Sequence, residues 1–358
     1  SASFERPLAG GRFRISASTR LFNNHYDNLF SLIPGPGAFV FLHQDIYFQN
    51  ELGLRYERSV GRLGLELQAL QRIGDLDGED LNQRPPVTIT EVQQIDQAES
   101  VLRGVARFKK DISFTLETFA EGAFNSYRTR TSGTVDGVAR IAPGFDIEEW
   151  RGDTGATAAW KPNAAFSLDA ALKVEASHLT ASGAADLTRR FTYFKPKLAI
   201  SWAIDKKTQL RLRAEHEVSQ VGFASYLTYS EPATGQVRLG NPGLRPNRSF
   251  VAEAVLQRSF WTGGDLSLTL RPRALRDVID VAPVRYGPTV IGALSNIGGG
   301  RQTDVIFNLT LPLKRLGVTG GTLKAMATWR RTRVTDPTDG SRRDLSNMPR
   351  RLAELHYV

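Results

Sequence analysis

The sequence predicts an all-β chain, a transmembrane antiparallel β-barrel, and three observations carry that expectation. Runs of alternating apolar and polar residues recur along its 358 residues, and a side-chain period of two puts each set on one sheet face. The runs meet in pairs at very short turns, at 7–11, 59–61, 109–111, 161–163, 205–208, 261–264 and 314–321, whereas the opposite connections are long and polar. Short turns on one rim and long segments on the other are what a membrane barrel requires. Many runs also reach about 9–12 residues, the length that crosses a bilayer at a tilt, against the 5–6 usual in soluble sheets.

Taken in order, the strands repeat one design. After the second turn Leu63, Leu65, Leu67 and Ala69 share a face while Glu66 and Gln68 share the other. Leu168, Ala170, Leu172 and Val174 alternate with Asp169, Lys173 and Glu175, and Leu210, Leu212 and Ala214 with Arg211, Arg213 and Glu215. Near the end, Val305, Phe307 and Leu309 oppose Asp304, Asn308 and Thr310, and Leu323, Ala325 and Ala327 oppose Lys324 and Thr328. The apolar sets are expected toward lipid and the polar sets toward a lumen. Tyr56, Phe108, Phe114, Trp160, Phe166, Trp202, Phe260 and Trp261 crowd the tight turns, as an interfacial aromatic girdle does. Two strands around each turn plus the run 351–358 make about 15 strands, an odd number that closed bacterial single-chain barrels avoid. An open sheet would leave rows of backbone groups unsatisfied in hydrocarbon. The expectation is therefore an incomplete barrel, an internal piece of a larger one.

Composition narrows the function classes. With 41% hydrophobic residues and no apolar run near 18–20 residues, the chain does not read as a helical membrane protein. The net charge of +9 comes from scattered arginines without a basic block or a reader motif, so no nucleic-acid partner is expected. A basic barrel beside anionic lipid accounts for it more simply. Cysteine is absent, which removes thiolate metal sites, thiol nucleophiles and disulfides. His216-Glu217 lacks the second histidine of a zinc-protease helix, having Gln220 there, and His25, His43, His178 and His356 stand apart. Asp75, Asp77 and Glu79 have calcium-loop spacing, but Asp80 replaces the required glycine, which favours a solvated acidic loop. No catalytic residue, metal or cofactor is expected. Two other readings stay open, a passive diffusion porin and a soluble β-rich enzyme or binding module.

The connections at 23–50, 72–99, 121–151, 177–190, 219–248, 275–301 and 335–348 read as polar outer loops. Within them Tyr226, Tyr229, Arg238, Arg285 and Tyr286 are candidates for contact with an anionic or aromatic ligand.

One loop carries a more specific signal. The segment Asn241-Pro242-Gly243-Leu244-Arg245-Pro246-Asn247-Arg248-Ser249, leading into the alternating run 250–260, resembles the Asn-Pro-x-Leu-x-Pro-Glu-x-Ser signature of TonB-dependent outer-membrane receptors. Asn247 stands where that family usually has Glu. Lys195 to Trp202 with the turn at 205–208 is similar to the family's Pro-x-Leu-x-x-x-Trp strand and turn, and 334–340 resembles a loop in a subset of these receptors. The resemblance implies a barrel of about 22 strands in the bacterial outer membrane, of which residues 1–358 supply part. It implies a plug domain before Ser1 and further strands after Val358, both absent here. It also implies active uptake of a scarce ligand of the siderophore-iron, cobalamin or oligosaccharide class. The implied partners are the TonB-ExbB-ExbD energising complex, reached through an amino-terminal segment missing from this chain, and the surrounding lipid and lipopolysaccharide.

Overall fold

A computed structural model of the chain describes residues 1–31, 38–84, 86–183, 186–226, 229–231, 236–238, 240–241, 243–286 and 289–358. Strands β1 (Ala2–Leu8), β2 (Gly11–Ser31), β3 (Ala38–Val60), β4 (Leu63–Arg84), β5 (Val87–Lys109), β6 (Phe114–Val135) and β7 (Val138–Asn163) form an antiparallel meander. It continues through β8 (Phe166–Gly183), β9 (Leu187–Ala203) and β10 (Thr208–Val218). Two small hairpins then stand apart from the main sheet, β11 (Tyr229–Glu231) with β12 (Gln236–Arg238) and β15 (Ile279–Tyr286) with β16 (Thr289–Asn296). Between and after them β13 (Arg248–Phe260), β14 (Gly264–Arg276), β17 (Gly300–Pro312) and β18 (Thr322–Thr335) extend the sheet. β19 (Arg342–Arg343) and β20 (Arg351–Tyr357) pair the same edge of β18 in succession, so the 16-stranded sheet is open and 15 positions wide. That agrees with the count read from the sequence.

The faces segregate as the alternation predicts. Leu63, Leu65, Leu67, Leu102, Leu172, Leu212 and Leu268 are all exposed, on the face away from the charged residues of the same strands. The aromatic row at the tight turns is present: Trp160 is the register partner of Phe114, and Trp202 of Phe166. A second row, which the sequence reading missed, runs through Phe124, Trp150, Phe194, Phe250 and Trp329 on the same outward face. Trp150 and Trp160 lie ten residues apart on β7, about 33 Å along the strand. A tilt of roughly 40° brings the rows to about 25 Å, the height of an outer-membrane apolar band.

The first four connections expected as loops are instead strands. β2 to β7 are 21 to 26 residues long, where crossing needs only about 9–11. The surplus projects above the second aromatic row as paired hairpins. Residues 72–84, for instance, pair with β3 on one side and β5 on the other. No lipid covers either face there, so polar side chains are tolerated while the ladder satisfies the backbone. Asp75, Asp77 and Glu79 accordingly sit in extended β4, not in a loop. The β6–β7 hairpin closes tightly: Asp136 and Gly137 turn with φ of 52° and 79°, the mirror-image geometry that suits the right-handed strand twist.

The turn expected at 161–163 falls slightly later, after a register irregularity between Trp160 and Asn163. The Asn163 carboxamide oxygen accepts from the backbone N–H of Ala165 at 2.8 Å and of Phe166 at 2.9 Å. Asp111 does the same for Ser113, and Asp205 for Lys207 and Thr208. A short acceptor closing its own turn is the local device that keeps this rim compact.

Candidate functional site

The polar face of the sheet is crossed by a chain of ion pairs. From β5 to β9 it runs Arg103, Glu121, Arg151, Asp153, Lys173, Glu175 and Lys195, with successive contacts of 3.0, 3.4, 3.5, 3.1, 3.5 and 2.6 Å. It resumes two residues along β9 at Lys197, 3.8 Å from Glu215, and passes through Arg213 to Glu253 at 3.2 Å and Arg271 at 2.5 Å. Asp304 and Arg330, 2.8 Å apart, continue it on β17 and β18. A two-residue step is the stagger of tilted strands. Most members keep some contact with water, where each pair contributes up to about 1 kcal/mol. Asp304 at 1% exposure and Asp153 at 6% are the exceptions.

Above this belt residues 219–226 and 243–247 lie over the same face, which identifies it as the inner one. Tyr226 and Leu244 are buried against Ile147 of β7 and Leu179 and Ala181 of β8. Leu244 is fully buried, and removing so much apolar surface from water fixes the segment to the wall. The sequence motif supplies the braces. Asn241 accepts through its side-chain oxygen from the N–H of Gly243 at 2.8 Å and donates to the carbonyl of Leu294 at 3.0 Å. Asn296 of β16 accepts from the Arg245 N–H at 2.8 Å and donates back to the Arg245 carbonyl at 2.9 Å. Pro246 is buried, and Ser249 is buried with its hydroxyl donating to Glu217 at 3.4 Å. Pro242 lies outside the described residues. The side-chain oxygen of Asn247 is buried without a partner among the described residues. The motif thus holds a loop in place.

Between loop and wall lies a cavity of about 620 Å³. Its wall presents Tyr47, Tyr127, Phe191 and Tyr193, and its roof Gln220, Tyr226 and Pro246. Phe191 and Tyr193, two residues apart on β9, hold their rings nearly parallel, 14° apart with centroids at 6.0 Å. They form a flat aromatic shelf. Arg20, Arg72, Arg151, Glu99, Glu149 and Glu175 add three charges of each sign. Arg72 is held between Glu51 and Glu99, both at 2.8 Å, whereas Arg20 has no ion pair among the described residues. Burial pushes the Tyr226 phenol up to about 12 and raises that of Tyr127, so both remain neutral hydrogen-bonding groups at ordinary pH. The arrangement suits reversible binding of a ligand with a flat or apolar surface and peripheral polar groups.

Of the ligand candidates read from the loops, Tyr226 lines this cavity as a buried roof residue. Tyr229 and Arg238 are backbone partners across β11–β12. Arg285 is exposed on β15, and Tyr286 pairs with Thr289 at the hairpin end. The shelf residues went unnoticed because they belong to strands, and only the register shows that β3 to β9 present them to one space.

A 15-position antiparallel wall with an apolar exterior, two aromatic rows and a loop folded into its mouth matches solved structures over nearly its whole length. The ferric citrate transporter FecA superposes with a TM-score of 0.65 at 9% identity, covering 99% of this chain and 59% of that one. The ferric yersiniabactin uptake receptor FyuA from Yersinia pestis gives 0.60 at 9% identity, covering 99% and 62%. This is the barrel fold of the TonB-dependent outer-membrane receptors. The copper transporter OprC, another TonB-dependent barrel, gives 0.60 at 12% identity, covering 97% and 64%. The chain therefore spans about three-fifths of the length of the TonB-dependent receptors it matches. No protein-family model and no curated protein matches its sequence.

Proposed function

We propose that this chain is most of the barrel wall of an outer-membrane uptake receptor, and that its ligand binds in the cavity between the wall and residues 219–226 and 246. The cavity carries the reading: a half-open aromatic and polar space of about 620 Å³ is sized for one small molecule, and its flat aromatic shelf offers a ligand a surface to rest on. In the intact protein further strands pair the free edges of β1 and β20, because unpaired strand edges are not tolerated in hydrocarbon. A globular plug fills the lumen and packs on the ion-pair belt, and the TonB-ExbB-ExbD complex energises release through a segment outside this chain. The ligand class is a metal chelate, as with ferric citrate and ferric yersiniabactin in the similar structures.

Cells making the intact protein, compared with cells lacking it, should take up one of ferric citrate, a ferric siderophore or copper with saturation. Phe191→Ala with Tyr193→Ala should raise the half-saturating concentration at least tenfold, and collapsing the proton gradient should stop uptake. Uptake that rises linearly with concentration and ignores both treatments would remove the proposal.

A further inference from the structure

Two loops that the sequence singles out, 241–249 and 334–340, lie far apart in the chain yet lead to the same element, the β15–β16 hairpin that stands off the main sheet. On one flank the hairpin is held through Asn296. Its carboxamide nitrogen donates to the carbonyls of Arg245 at 2.9 Å and Asp277 at 2.7 Å, while its oxygen accepts from the Arg245 N–H. Asp277, at the root of the hairpin, accepts in turn from the Arg248 guanidinium at 2.7 Å, and Asn241 reaches the Leu294 carbonyl.

On the other flank it is held by Arg343. The guanidinium donates to Asp280 at 2.8 Å, to Asp336 at 2.6 Å and to the Val281 carbonyl at 3.4 Å. Asp280 is buried and also accepts from the Ser346 N–H at 3.1 Å. The turn after β18 is shaped to present this arginine. Asp336 accepts from the Thr338 N–H through its side chain, and its backbone bonds to Ser341 and Gly340, so the chain reverses and returns Arg343 beside it. The root of the hairpin is apolar, with Val278 buried among Leu275 and Val334 and packed by Leu345. Next along β15, Ile279 packs against the roof cluster of Tyr226 and Leu244. One residue thus meets the roof while its neighbour Asp280 meets Arg343, the alternation of a strand.

We infer that Arg343 is a positioning residue for the ligand: through Asp280 and the β15–β16 hairpin it holds Tyr226 and Pro246 at a fixed height over the Phe191–Tyr193 shelf. A charge-assisted hydrogen bond to a buried carboxylate is strong, and removing the arginine leaves that carboxylate without its cation. The hairpin then loses its hold on one flank, and the residues bonded to Asn296 move with it. A displaced roof lets a bound ligand leave sooner and hardly slows its entry, because differences in affinity at one site lie mostly in dissociation. The role in binding rests on the uptake reading above; the geometry of the brace does not.

This chain has no cysteine, so a pair introduced at Gly222 in the roof and Glu148 on the wall can carry spin labels in the intact protein in nanodiscs. A side chain added at Gly222 meets nothing within 4 Å, and Glu148 is exposed. Insertion is scored first by heat-modifiable mobility. The roof-to-wall distance distribution, narrow in the otherwise unaltered protein, should broaden and move to longer distances in Arg343→Gln. Asn296→Ala cuts the brace at its other end, should do the same, and is read alone if Arg343→Gln fails to insert. The double variant should broaden no further than either single one. Arg343→Lys should keep most of the narrow distribution, and Arg350→Gln, whose exposed side chain bonds Asp344 outside the brace, should change nothing. In the second arm, whichever of ferric citrate, a ferric trihydroxamate and copper is taken up should dissociate about tenfold faster from Arg343→Gln, the loss of one charged hydrogen bond, with its association rate nearly unchanged. An unaltered distance distribution in the brace variants, or a displaced roof with unaltered dissociation, would overturn the inference and leave the uptake reading intact. If none of the three probes is taken up, the uptake reading falls and the positioning role with it, while the distances still decide the brace.

Discussion

At the scale of single residues, what decides a side chain's role is which face of the sheet it occupies and whether water reaches it there. Asp304 shows the extreme, accepting from Arg330 at 2.8 Å and from the Gln302 amide at 2.8 Å while nearly inaccessible. Replacing it with Ala would leave the partly exposed Arg330 and the Gln302 amide without their acceptor, so the variant should lose about 1–3 kcal/mol in a urea titration in lipid, and Asp304→Asn clearly less. Glu91 shows the opposite case, in the projecting part of β5. Burial, with Asp80 as its register partner, raises its carboxyl to about 7. The other groups facing this corner are His43 and Asp45 of β3 and Tyr26 of β2, with His43 bonded to Asp80 at 2.6 Å, while β6 presents Gly133. A carboxyl raised on folding stabilises fully below its unfolded value near 4.5, and that contribution is lost as pH rises through about 7. Amide protection beside the tip of the β4–β5 hairpin, taken relative to the intrinsic exchange rate at each pH, should therefore rise on going from pH 8 to pH 5. Glu91→Gln should flatten the change, and an equal change in that variant would refute the assignment.

At the scale of elements, the alternating faces and the tight turns were legible because each depends on a few neighbouring residues: Leu212 against Arg213, or Asp205 reaching its own turn. The second aromatic row was harder to see, since Phe194 and Phe250 sit in the middle of long runs with no turn to mark them. The hairpin extensions were misread for a physical reason. Outside the membrane neither face has to be apolar, the two-residue period fades, and the Gly, Asp and Asn of 72–84 look like loop residues although they pair on both sides. The shelf of Phe191 and Tyr193 was illegible because its neighbours Tyr47 and Tyr127 are supplied by register over more than 60 residues of chain. This geometry makes a labelling prediction: cysteine at Val138, exposed beside the β6–β7 tip, should react with an impermeant maleimide on intact cells, and cysteine at Lys206 only after the outer membrane is opened. The reverse order would invert the topology.

At the scale of the whole molecule, a wall 15 positions wide encloses far more space than its own inward side chains fill. The lumen must then be either an open channel or an occupied one, and the account holds that a plug and a bound ligand occupy it. The inner belt of alternating charge, which satisfies itself across strands, offers a plug a polar surface that needs few rearrangements. The most direct measurement is the conductance of the intact protein in a planar bilayer, recorded with the same preparation whose ligand uptake in cells has been established. The account predicts no steady current at rest, and openings only when a plug is removed or unfolded by denaturant. A large, steady, ligand-independent conductance from the untreated protein would contradict it and make the chain the wall of a passive pore.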